Sequence, residues 1–205
     1  MSWAIPRTEE LASTALVVLA AGFGSRFDGQ TYKLLVDVGG RPLVSWALEA
    51  AAAVPAGAHF VVTQDERLAG ILPTCFEELH NPSPRDGLAS SLALAIDAVQ
   101  DLGLSAVTVG LADQPFVPAQ AWYLVSSVVT TGVAVATYAG QRGNPVKIAS
   151  SVFGLLERQG DVGARGIFDR VNLVEVPCPG DPLDVDTRSD LARVRAKERK
   201  CYADC

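Results

Sequence analysis

Short apolar runs alternate with segments of helical spacing along most of this chain. Residues 15–20 (ALVVLA) form an uninterrupted apolar run before a glycine-rich turn, a pattern typical of a parallel strand buried on both faces. Residues 88–101 carry apolar side chains at helical spacing instead. The same two patterns predict strands at 58–63, 75–80, 105–110, 133–138, 145–148 and 172–176, and helices at 42–53, 118–129 and 188–200.

Strands that alternate with helices predict a mostly parallel sheet with right-handed crossovers, because a helix usually connects neighbouring parallel strands. The helices then cover both faces, which makes a three-layer α/β fold of Rossmann type. Residues 139–161 break the alternation, and we expect them to form a small β insertion beside the sheet. No repeat or linker interrupts the sequence, so we expect a single domain over residues 1–205 with its core at 15–195.

The composition supports a large core and excludes several classes of partner. Of the 205 residues, 49% are hydrophobic and 20% are charged, which excludes general disorder. The 17 basic and 23 acidic side chains give a net charge of −6, so the chain lacks the basic surface that nucleic acid or an anionic membrane requires. A small anionic ligand remains compatible, because backbone N–H groups and a few cations can hold one.

The sequence shows no sign of a membrane span, a leader or a disulfide framework. No apolar run has the length of a membrane span, and two glutamates precede the first apolar segment, the wrong order for a signal peptide. The four cysteines contain no Cys-x-x-Cys pair, which argues against a disulfide scaffold or a zinc site. We therefore expect a cytoplasmic protein.

The glycine-rich turn after the first strand is the first candidate binding segment. Ligands of open α/β sheets bind beyond the carboxyl ends of strands, where this turn begins. Glycine lets the backbone approach a ligand closely, and free N–H groups in such a turn attract phosphate. Arg26 and Lys33 add two cations suited to a triphosphate. The turn lacks the Gly-Lys-Ser/Thr of a P-loop, and Phe27 stands where a dinucleotide fingerprint needs glycine.

Two segments that carry aspartates are candidates for a metal site. Asp113 follows a predicted strand, so its carboxylate should lie at the same sheet edge as the glycine-rich turn. Asp184 and Asp186 would project from one face if their segment is a strand, and Asp186 then offers a second ligand. Carboxylates together with phosphate oxygens are the usual ligands of Mg²⁺ in proteins.

Two polar loops are weaker candidates. Residues 81–92 open into a predicted helix, and their N–H groups with the hydroxyls of Ser90 and Ser91 suit a base or a ribose. Residues 141–145 form a turn that suits the wall of a second pocket. Each pattern is equally typical of an ordinary surface loop.

Together these motifs resemble those of the MobA-like nucleotidyltransferases. LAAGFGSR with KLL, GLASSL, LADQP, GNPV and DVDT occur in this order between residues 15 and 195. Within the family they are most similar to molybdenum cofactor cytidylyltransferases. The resemblance implies a Rossmann-like nucleotidyltransferase fold and Mg²⁺-dependent transfer of CMP from CTP to molybdenum-loaded molybdopterin, with release of pyrophosphate. It also implies that a client enzyme, a molybdenum hydroxylase, uses the product.

The resemblance assigns a role to each motif. The catalytic residues would be Arg26, Lys33 and Asp113, with Asp186 joining Asp113 at the metal. Ala21 favours CTP, because its methyl group leaves less room for a purine than the glycine of relatives that use GTP. The acceptor would lie against Gly143, Asn144 and Pro145. The nucleotide would contact Leu19, Ala20, Ala21, Gly22, Gly24, Ser25, Ser90 and Ser91.

Two features depart from the family's usual pattern. Arg26 and Lys33 are seven residues apart, which is farther than usual, and Gly143-Asn144-Pro145 replaces Gly-His-Pro. Two alternatives therefore stay open. One is a nucleotidyltransferase that uses GTP or another phosphate-bearing acceptor. The other is a non-catalytic accessory protein that binds the finished cofactor, although a carrier would need no metal site.

Overall fold

The structure, a computed structural model, describes residues 8–22, 27 and 32–203, and side chains up to residue 199. Its α-helices are α1 (Thr8–Ala12), α2 (Leu43–Ala52), α3 (Leu88–Asp101), α4 (Ala119–Ser126) and α5 (Arg188–Ala203). Its strands are β1 (Thr14–Leu19), β2 (Asp37–Val38), β3 (Arg41–Pro42), β4 (Ala58–Thr63), β5 (Phe76–His80), β6 (Ala106–Leu111), β7 (Val133–Tyr138), β8 (Gln141–Ala149) and β9 (Leu173–Pro177). Short 3₁₀ helices span Lys33–Leu35, Glu66–Ile71, Pro84–Asp86, Ser150–Leu155 and Gly163–Arg170.

Seven of the described strands form one sheet in the order β5-β4-β1-β6-β8-β7-β9, and β2 pairs with β3 separately. β1 is parallel to β4 on one side and to β6 on the other. β8 is antiparallel to both of its neighbours, whereas β9 is parallel to β7. The mostly parallel sheet is confirmed. The chain runs outward from β1 through β4 to β5 and then returns to β6, so the strand order reverses beside β1, where open α/β sheets bind ligands.

Alternate side chains of the strands build one core layer on each face of the sheet. On β1, Leu16 and Val18 pack in the layer that contains α2, α4 and α5, whereas Val17 and Leu19 pack in the layer that contains α3. This alternation is the period-two geometry of a strand that is buried on both faces. The predicted three layers are therefore confirmed. None of the helices in the described part of the chain combines the length and apolar character needed to cross a bilayer.

Strand β8 corrects the predicted arrangement of residues 139–161. Instead of a short strand in an insertion beside the sheet, β8 spans nine residues and lies within the sheet between β6 and β7. Ala139 and Gly140 have positive φ values of 49° and 81° and form the tight turn that joins β7 to β8. This turn returns the chain antiparallel to β7, and the buried residues Val146 and Ile148 then pair with β6.

The segment before α5 corrects a second prediction. Residues 183–187 form no strand, because Val185 is buried and donates its N–H to the Asp113 carbonyl oxygen at 3.1 Å instead of to a neighbouring strand. The segment therefore crosses the end of β6. Its Thr-x-x-Asp spacing predicts a helix cap, and this cap is confirmed: Asp190 accepts the Thr187 N–H at 2.9 Å, and the Thr187 hydroxyl oxygen accepts the Asp190 N–H at 3.2 Å.

Candidate active site

A cavity of about 520 Å³ opens at the carboxyl ends of β1 and β6. The ends of these strands, the 3₁₀ helix Lys33–Leu35 and the start of α3 contribute to its walls. It contains five of the residues predicted to bind a nucleotide: Leu19, Ala20, Ala21, Gly22 and Ser91. It also contains three charged residues predicted for catalysis or metal binding: Lys33, Asp113 and Asp186. The fold therefore brings together motifs that lie far apart in the sequence.

Lys33 pairs with both of the predicted metal ligands. Its Nζ lies 2.6 Å from Asp113 Oδ2 and 3.3 Å from Asp186 Oδ1. The side chains of Lys33 and Asp113 are only 9% and 18% exposed, so water screens their ion pair less than it screens an exposed pair. The result is a cluster of one ammonium and two carboxylate groups on the cavity wall, in which Lys33 and Asp113 are shielded and Asp186 is 42% exposed.

The 3₁₀ helix Lys33–Leu35 is attached to the end of β1. Leu34 is buried in the core layer of α2, and the hydroxyl of Tyr32 donates a hydrogen bond to the Ala20 carbonyl oxygen at 3.1 Å. Burial raises the pKa of Tyr32 to about 12, so this hydroxyl keeps its proton at neutral pH. These contacts bring Lys33 to the cavity, although it lies seven residues after Arg26 in the sequence.

Gln114 is a site residue that the sequence analysis missed. Its Nε2 donates to Asp184 Oδ1 at 2.5 Å and to the Pro182 carbonyl oxygen at 3.2 Å, and its Oε1 accepts from Asn144 Nδ2 at 3.3 Å. Partial burial and the charge of Asp113 raise the pKa of the Asp184 carboxyl group. Gln114 therefore links the aspartate segment to the predicted acceptor loop. The LADQP motif contained this signal, since a polar amide there lies three residues after the end of a buried strand.

The backbone at Gly22 is open to the cavity. No described atom lies within 4 Å of the position that a Cβ would take, and the φ of Gly22 is not positive. Among the described residues, neither packing nor backbone conformation therefore requires glycine, whereas close approach of a ligand would. The neighbouring Ala21 is buried and lines the cavity. The predicted site residues Gly24, Ser25 and Arg26 lie outside the described residues.

The two predicted serines differ in their placement. Ser91 is buried and lines the cavity, and its hydroxyl oxygen accepts from Asn81 Nδ2 at 2.9 Å. Ser90 is not part of the cavity lining, and its hydroxyl donates to the carbonyl oxygens of Ser83 and Gly87 at 3.2 and 2.8 Å. Ser91 is therefore available to a ligand, whereas Ser90 stabilises the loop before α3.

Residues 160 and 161 form a clasp with the start of α3. The Ala89 N–H donates to the Gly160 carbonyl oxygen at 2.9 Å, and the Leu88 N–H donates to Asp161 Oδ1 at 3.2 Å. The Gly160 N–H donates to the Asp86 carbonyl oxygen at 2.8 Å. Asp161 lines both the first cavity and a second one beside it. No local motif indicates this role, because the partners are 73 residues apart.

The second cavity has a volume of about 220 Å³ and lies next to the clasp. Two of the three predicted acceptor residues, Gly143 and Asn144, line it, whereas Pro145 does not. Arg142, Asp161 and Arg165 supply its charged groups. Most of the remaining lining is apolar and includes Leu92, Val109, Val135, Val146, Ile148 and Phe168.

Asp113 and Asp186 have the chemistry of a divalent metal site. Asp113 Oδ1 is buried and accepts no hydrogen bond within the described part of the chain, which leaves a hard oxygen donor available. The described residues contain no group of three or more His, Cys, Asp or Glu side chains placed to hold a metal by themselves. Mg²⁺ characteristically takes one or two protein carboxylates and completes its coordination with phosphate oxygens and water. The aspartate pair therefore fits a metal that binds together with a nucleotide.

Residues 16–176 match the model of the MobA-like NTP transferase domain. The chain belongs to the MobA-like NTP transferase family. The matched region includes the glycine-rich turn, Lys33 and Asp113, whereas Asp186 follows it. This MobA-like chain is thus a member of the nucleotidyltransferases.

Two curated relatives match parts of this MobA-like chain. The 2-C-methyl-D-erythritol 4-phosphate cytidylyltransferase of Bifidobacterium longum is 35% identical over 94 residues, which cover 43% of this chain and 32% of the relative. The bifunctional protein GlmU of Kineococcus radiotolerans is 34% identical over 176 residues, which cover 80% of this chain and 33% of the relative. The chain therefore spans about a third of the length of these relatives.

A solved structure resembles this MobA-like chain over most of its length. The crystal structure of the Rv0371c homolog from Mycobacterium sp. strain JC1 has a TM-score of 0.78 and 27% identity, and the match covers 93% of this chain and 98% of that chain. This similarity confirms the predicted α/β nucleotidyltransferase fold.

Proposed function

We propose that this chain transfers CMP from CTP to the terminal phosphate of a molybdopterin-type acceptor and releases pyrophosphate. The observation that carries the proposal is the cluster of Lys33, Asp113 and Asp186 in the cavity, next to the open backbone of Gly22. Phosphate groups together with a divalent cation are the ligands that suit this arrangement. Membership of the MobA-like family supports the same chemistry.

The reaction requires positioning and charge neutralisation more than covalent catalysis. An oxygen of the acceptor phosphate attacks the α-phosphorus of CTP, and the bond from this phosphorus to the bridging oxygen breaks as pyrophosphate leaves with the electron pair. The attacking phosphate is already an anion, so no side chain has to remove a proton from it. Lys33 would bind phosphate oxygens, while Asp113 and Asp186 would hold Mg²⁺. Bound Mg²⁺ would neutralise the charge that develops on the leaving pyrophosphate.

Two observations support CTP as the nucleotide. Ala21 is buried at the cavity wall, where its methyl group narrows the space for a base. A cytidylyltransferase from Bifidobacterium longum is among the relatives that match the chain. The hydroxyl of Ser91 adds a polar contact for the nucleoside at the same wall.

The second cavity supports an acceptor with a flat ring system. Its strand residues Val109, Val135, Val146 and Ile148 offer no hydrogen bonds from their side chains. A sugar or polyol phosphate would therefore leave hydroxyl groups unpaired against these side chains, which is costly. A pterin would place the faces of its rings against them and its polar edge against Arg142, Asn144 and Asp161. A molybdopterin-type acceptor fits this lining better, and a molybdenum hydroxylase would then use the product.

Measuring pyrophosphate release tests this function. The purified chain is incubated with Mg²⁺, with CTP, GTP or UTP, and with molybdenum-loaded molybdopterin, 2-C-methyl-D-erythritol 4-phosphate or a sugar 1-phosphate. We expect release with CTP and molybdopterin alone. Asp113→Asn should slow it by about 10²–10³-fold, the size typical of losing one group that stabilises transition-state charge. Asp181→Asn is the matched control, because Asp181 pairs with Lys197 at 2.5 Å outside both cavities.

Other outcomes would overturn separate parts of the proposal. Release with GTP in place of CTP would refute the base assignment and leave the chemistry intact. Release with a sugar or polyol phosphate would refute the acceptor. No release with any combination, together with tight binding of molybdopterin cytosine dinucleotide, would identify a carrier instead of an enzyme.

A further inference from the structure

Lys33 occupies the space between Asp113 and Asp186 that a divalent cation would need. Its Nζ lies 2.6 Å from one carboxylate and 3.3 Å from the other, and its side chain is only 9% exposed. The ammonium group therefore faces the carboxylates at hydrogen-bond distance. A lysine that served phosphate binding alone would not need to be held by both predicted metal ligands.

An ammonium group and a divalent cation would compete for the same oxygen atoms. Mg²⁺ binds carboxylate oxygens at about 2.0–2.1 Å, and Lys33 already uses Asp113 Oδ2 and Asp186 Oδ1. Two cations on one pair of carboxylates would repel each other strongly at such short separations. Asp113 Oδ1 is buried and accepts no hydrogen bond from the described residues, so the hydrogen bond of this carboxylate is the one from Lys33 to Oδ2.

We propose that Lys33 is the resident counter-ion of Asp113 and Asp186 and that it leaves them for the phosphates of the nucleotide when a divalent cation binds. This inference rests on the metal site of the proposed function. The four-carbon stem of lysine lets its ammonium group move by several ångströms without a change in the backbone. Lys33 therefore neutralises the carboxylates in the free protein and the phosphates in the complex.

The exchange couples the binding of metal and nucleotide. In the free protein Lys33 lowers the affinity for a divalent cation, because the cation has to displace it. A nucleotide that draws the ammonium group away removes this competition, so the metal binds more tightly. By thermodynamic linkage the metal raises the affinity for the nucleotide by the same factor. The protein would thus bind a metal weakly on its own and more tightly together with the nucleotide.

Titration with Mn²⁺ alone, followed by electron paramagnetic resonance of the free ion at pH 7.5, tests the competition. We expect Lys33→Met to bind Mn²⁺ at least about tenfold more tightly than the wild type, because the competing charge is gone. Lys197→Met is the matched control, since it removes the same charge from a different lysine–aspartate pair. Its affinity for Mn²⁺ should match that of the wild type. Equal or weaker binding by Lys33→Met, or no binding by either protein, would overturn the exchange.

A second measurement uses the unaltered protein and decides the question if Lys33→Met does not fold. Brief treatment with acetic anhydride, followed by mass spectrometry, reports how accessible the Lys33 amine is. We expect Mn²⁺ to speed its acetylation several-fold, while the acetylation of Lys197 stays constant. An unchanged or slower reaction at Lys33 would contradict its release from the carboxylates.

These experiments contain no nucleotide, so their failure differs from failure of the proposed function. If the wild type releases pyrophosphate but Lys33 does not compete with Mn²⁺, the exchange is wrong and the transferase stands. If Lys33 competes but no pyrophosphate is released with any acceptor, the metal site is real and the proposed reaction is wrong.

Discussion

At the scale of single residues, two neighbouring positions line the cavity proposed to bind the nucleotide. Gly22 leaves space into which a methyl group would project without touching any described atom, whereas the methyl group of Ala21 is buried at the wall. A change of one methyl group in a tight pocket alters substrate discrimination by about 10-fold or more. Removing the methyl group at Ala21 and adding one at Gly22 therefore test the cavity in opposite directions.

Ala21→Gly should increase the use of GTP relative to CTP by about tenfold, because it removes the methyl group that limits the space for a purine. The ratio of kcat/KM values, measured by pyrophosphate release, checks this. Gly22→Ala is the complementary control. It should raise KM for both nucleotides and leave the free energy of unfolding unchanged. A nucleotide preference that does not respond to Ala21→Gly would show that another residue selects the base.

Tyr32 makes stability depend on pH in the alkaline range. A tyrosine ionises near pH 10 when unfolded, whereas burial raises the pKa of Tyr32 to about 12 in the folded protein. Between these values the folded state holds more protons, so the free energy of unfolding falls as the pH rises. Tyr32→Phe should show a shallower fall between pH 10 and 12 in urea unfolding. Identical slopes for both proteins would contradict the raised pKa.

The candidate site was largely predictable at this scale because polar residue types follow buried strands. Lys33, Asp113 and Asp186 were all predicted, but Lys33 is 80 and 153 residues away from its two partners. Their contact was not predictable, since the direction of a side chain depends on how distant segments pack. Asp161 was missed for the same reason, whereas Gln114 was missed although the LADQP motif contained its signal.

At the scale of elements, the clasp determines where α3 begins. Gly87 has a φ of +84°, and a Cβ there would lie 2.5 Å from Asp161 Oδ1 and 2.5 Å from the Gly160 carbonyl oxygen. Only glycine combines this backbone conformation with such close contact. The clasp therefore depends on Gly87 as much as on its hydrogen bonds.

Gly87→Ala should lower the free energy of unfolding by about 2 kcal/mol more than Gly103→Ala does. Both glycines have positive φ, but no described atom lies within 4 Å of a Cβ at Gly103. The difference therefore reports the clash with the clasp together with the strain of the Gly87 backbone, whose ψ of −172° is accessible essentially to glycine alone. Urea unfolding measures the difference, and KM for the nucleotide should rise in Gly87→Ala alone. Equal losses would show that the clasp contributes nothing beyond backbone strain.

Helices and strands were predicted well wherever their buried residues are regularly spaced in the sequence. The bounds of α3, β4 and β7 agree with prediction, because each has a regular apolar pattern. β8 was predicted too short, since its first four residues are exposed or half-buried and polar. Residues 183–187 contain alternating aspartates, but the N–H of their buried residue Val185 donates to the carbonyl oxygen of Asp113, two residues after β6, instead of to a neighbouring strand.

At the scale of the whole molecule, Lys147 joins three elements on the side of the sheet that contains α4. It lies on β8, and its fully buried ammonium group donates to the carbonyl oxygens of Ser126 and Val128 at 2.8 Å each. It also pairs with the carboxylate of Glu10 on α1. Burial lowers the pKa of Lys147, and the Glu10 partner opposes that shift.

Lys147→Met should reduce the free energy of unfolding by about 3 kcal/mol, because it leaves a partly buried carboxylate and two carbonyl oxygens without their donor. Urea unfolding with an unchanged m-value would measure this loss. Lys197→Met breaks a half-exposed pair and should cost no more than about 1 kcal/mol. A loss of similar size in both variants would show that the buried pair contributes no more to the free energy of unfolding than the half-exposed pair does.

The sequence alone determined the order and type of most elements, the α/β class, the family and the residue types that carry the chemistry. Short stretches of the sequence show these properties, because burial on one or two faces of an element sets the spacing of its apolar residues and because a turn requires particular residue types. Only the tertiary structure decided that β8 inserts between β6 and β7, that Lys33 lies between two carboxylates, and that a clasp separates two cavities. Each of these three features depends on which distant segments pack together, and the spacing of apolar residues within one segment does not indicate its partner.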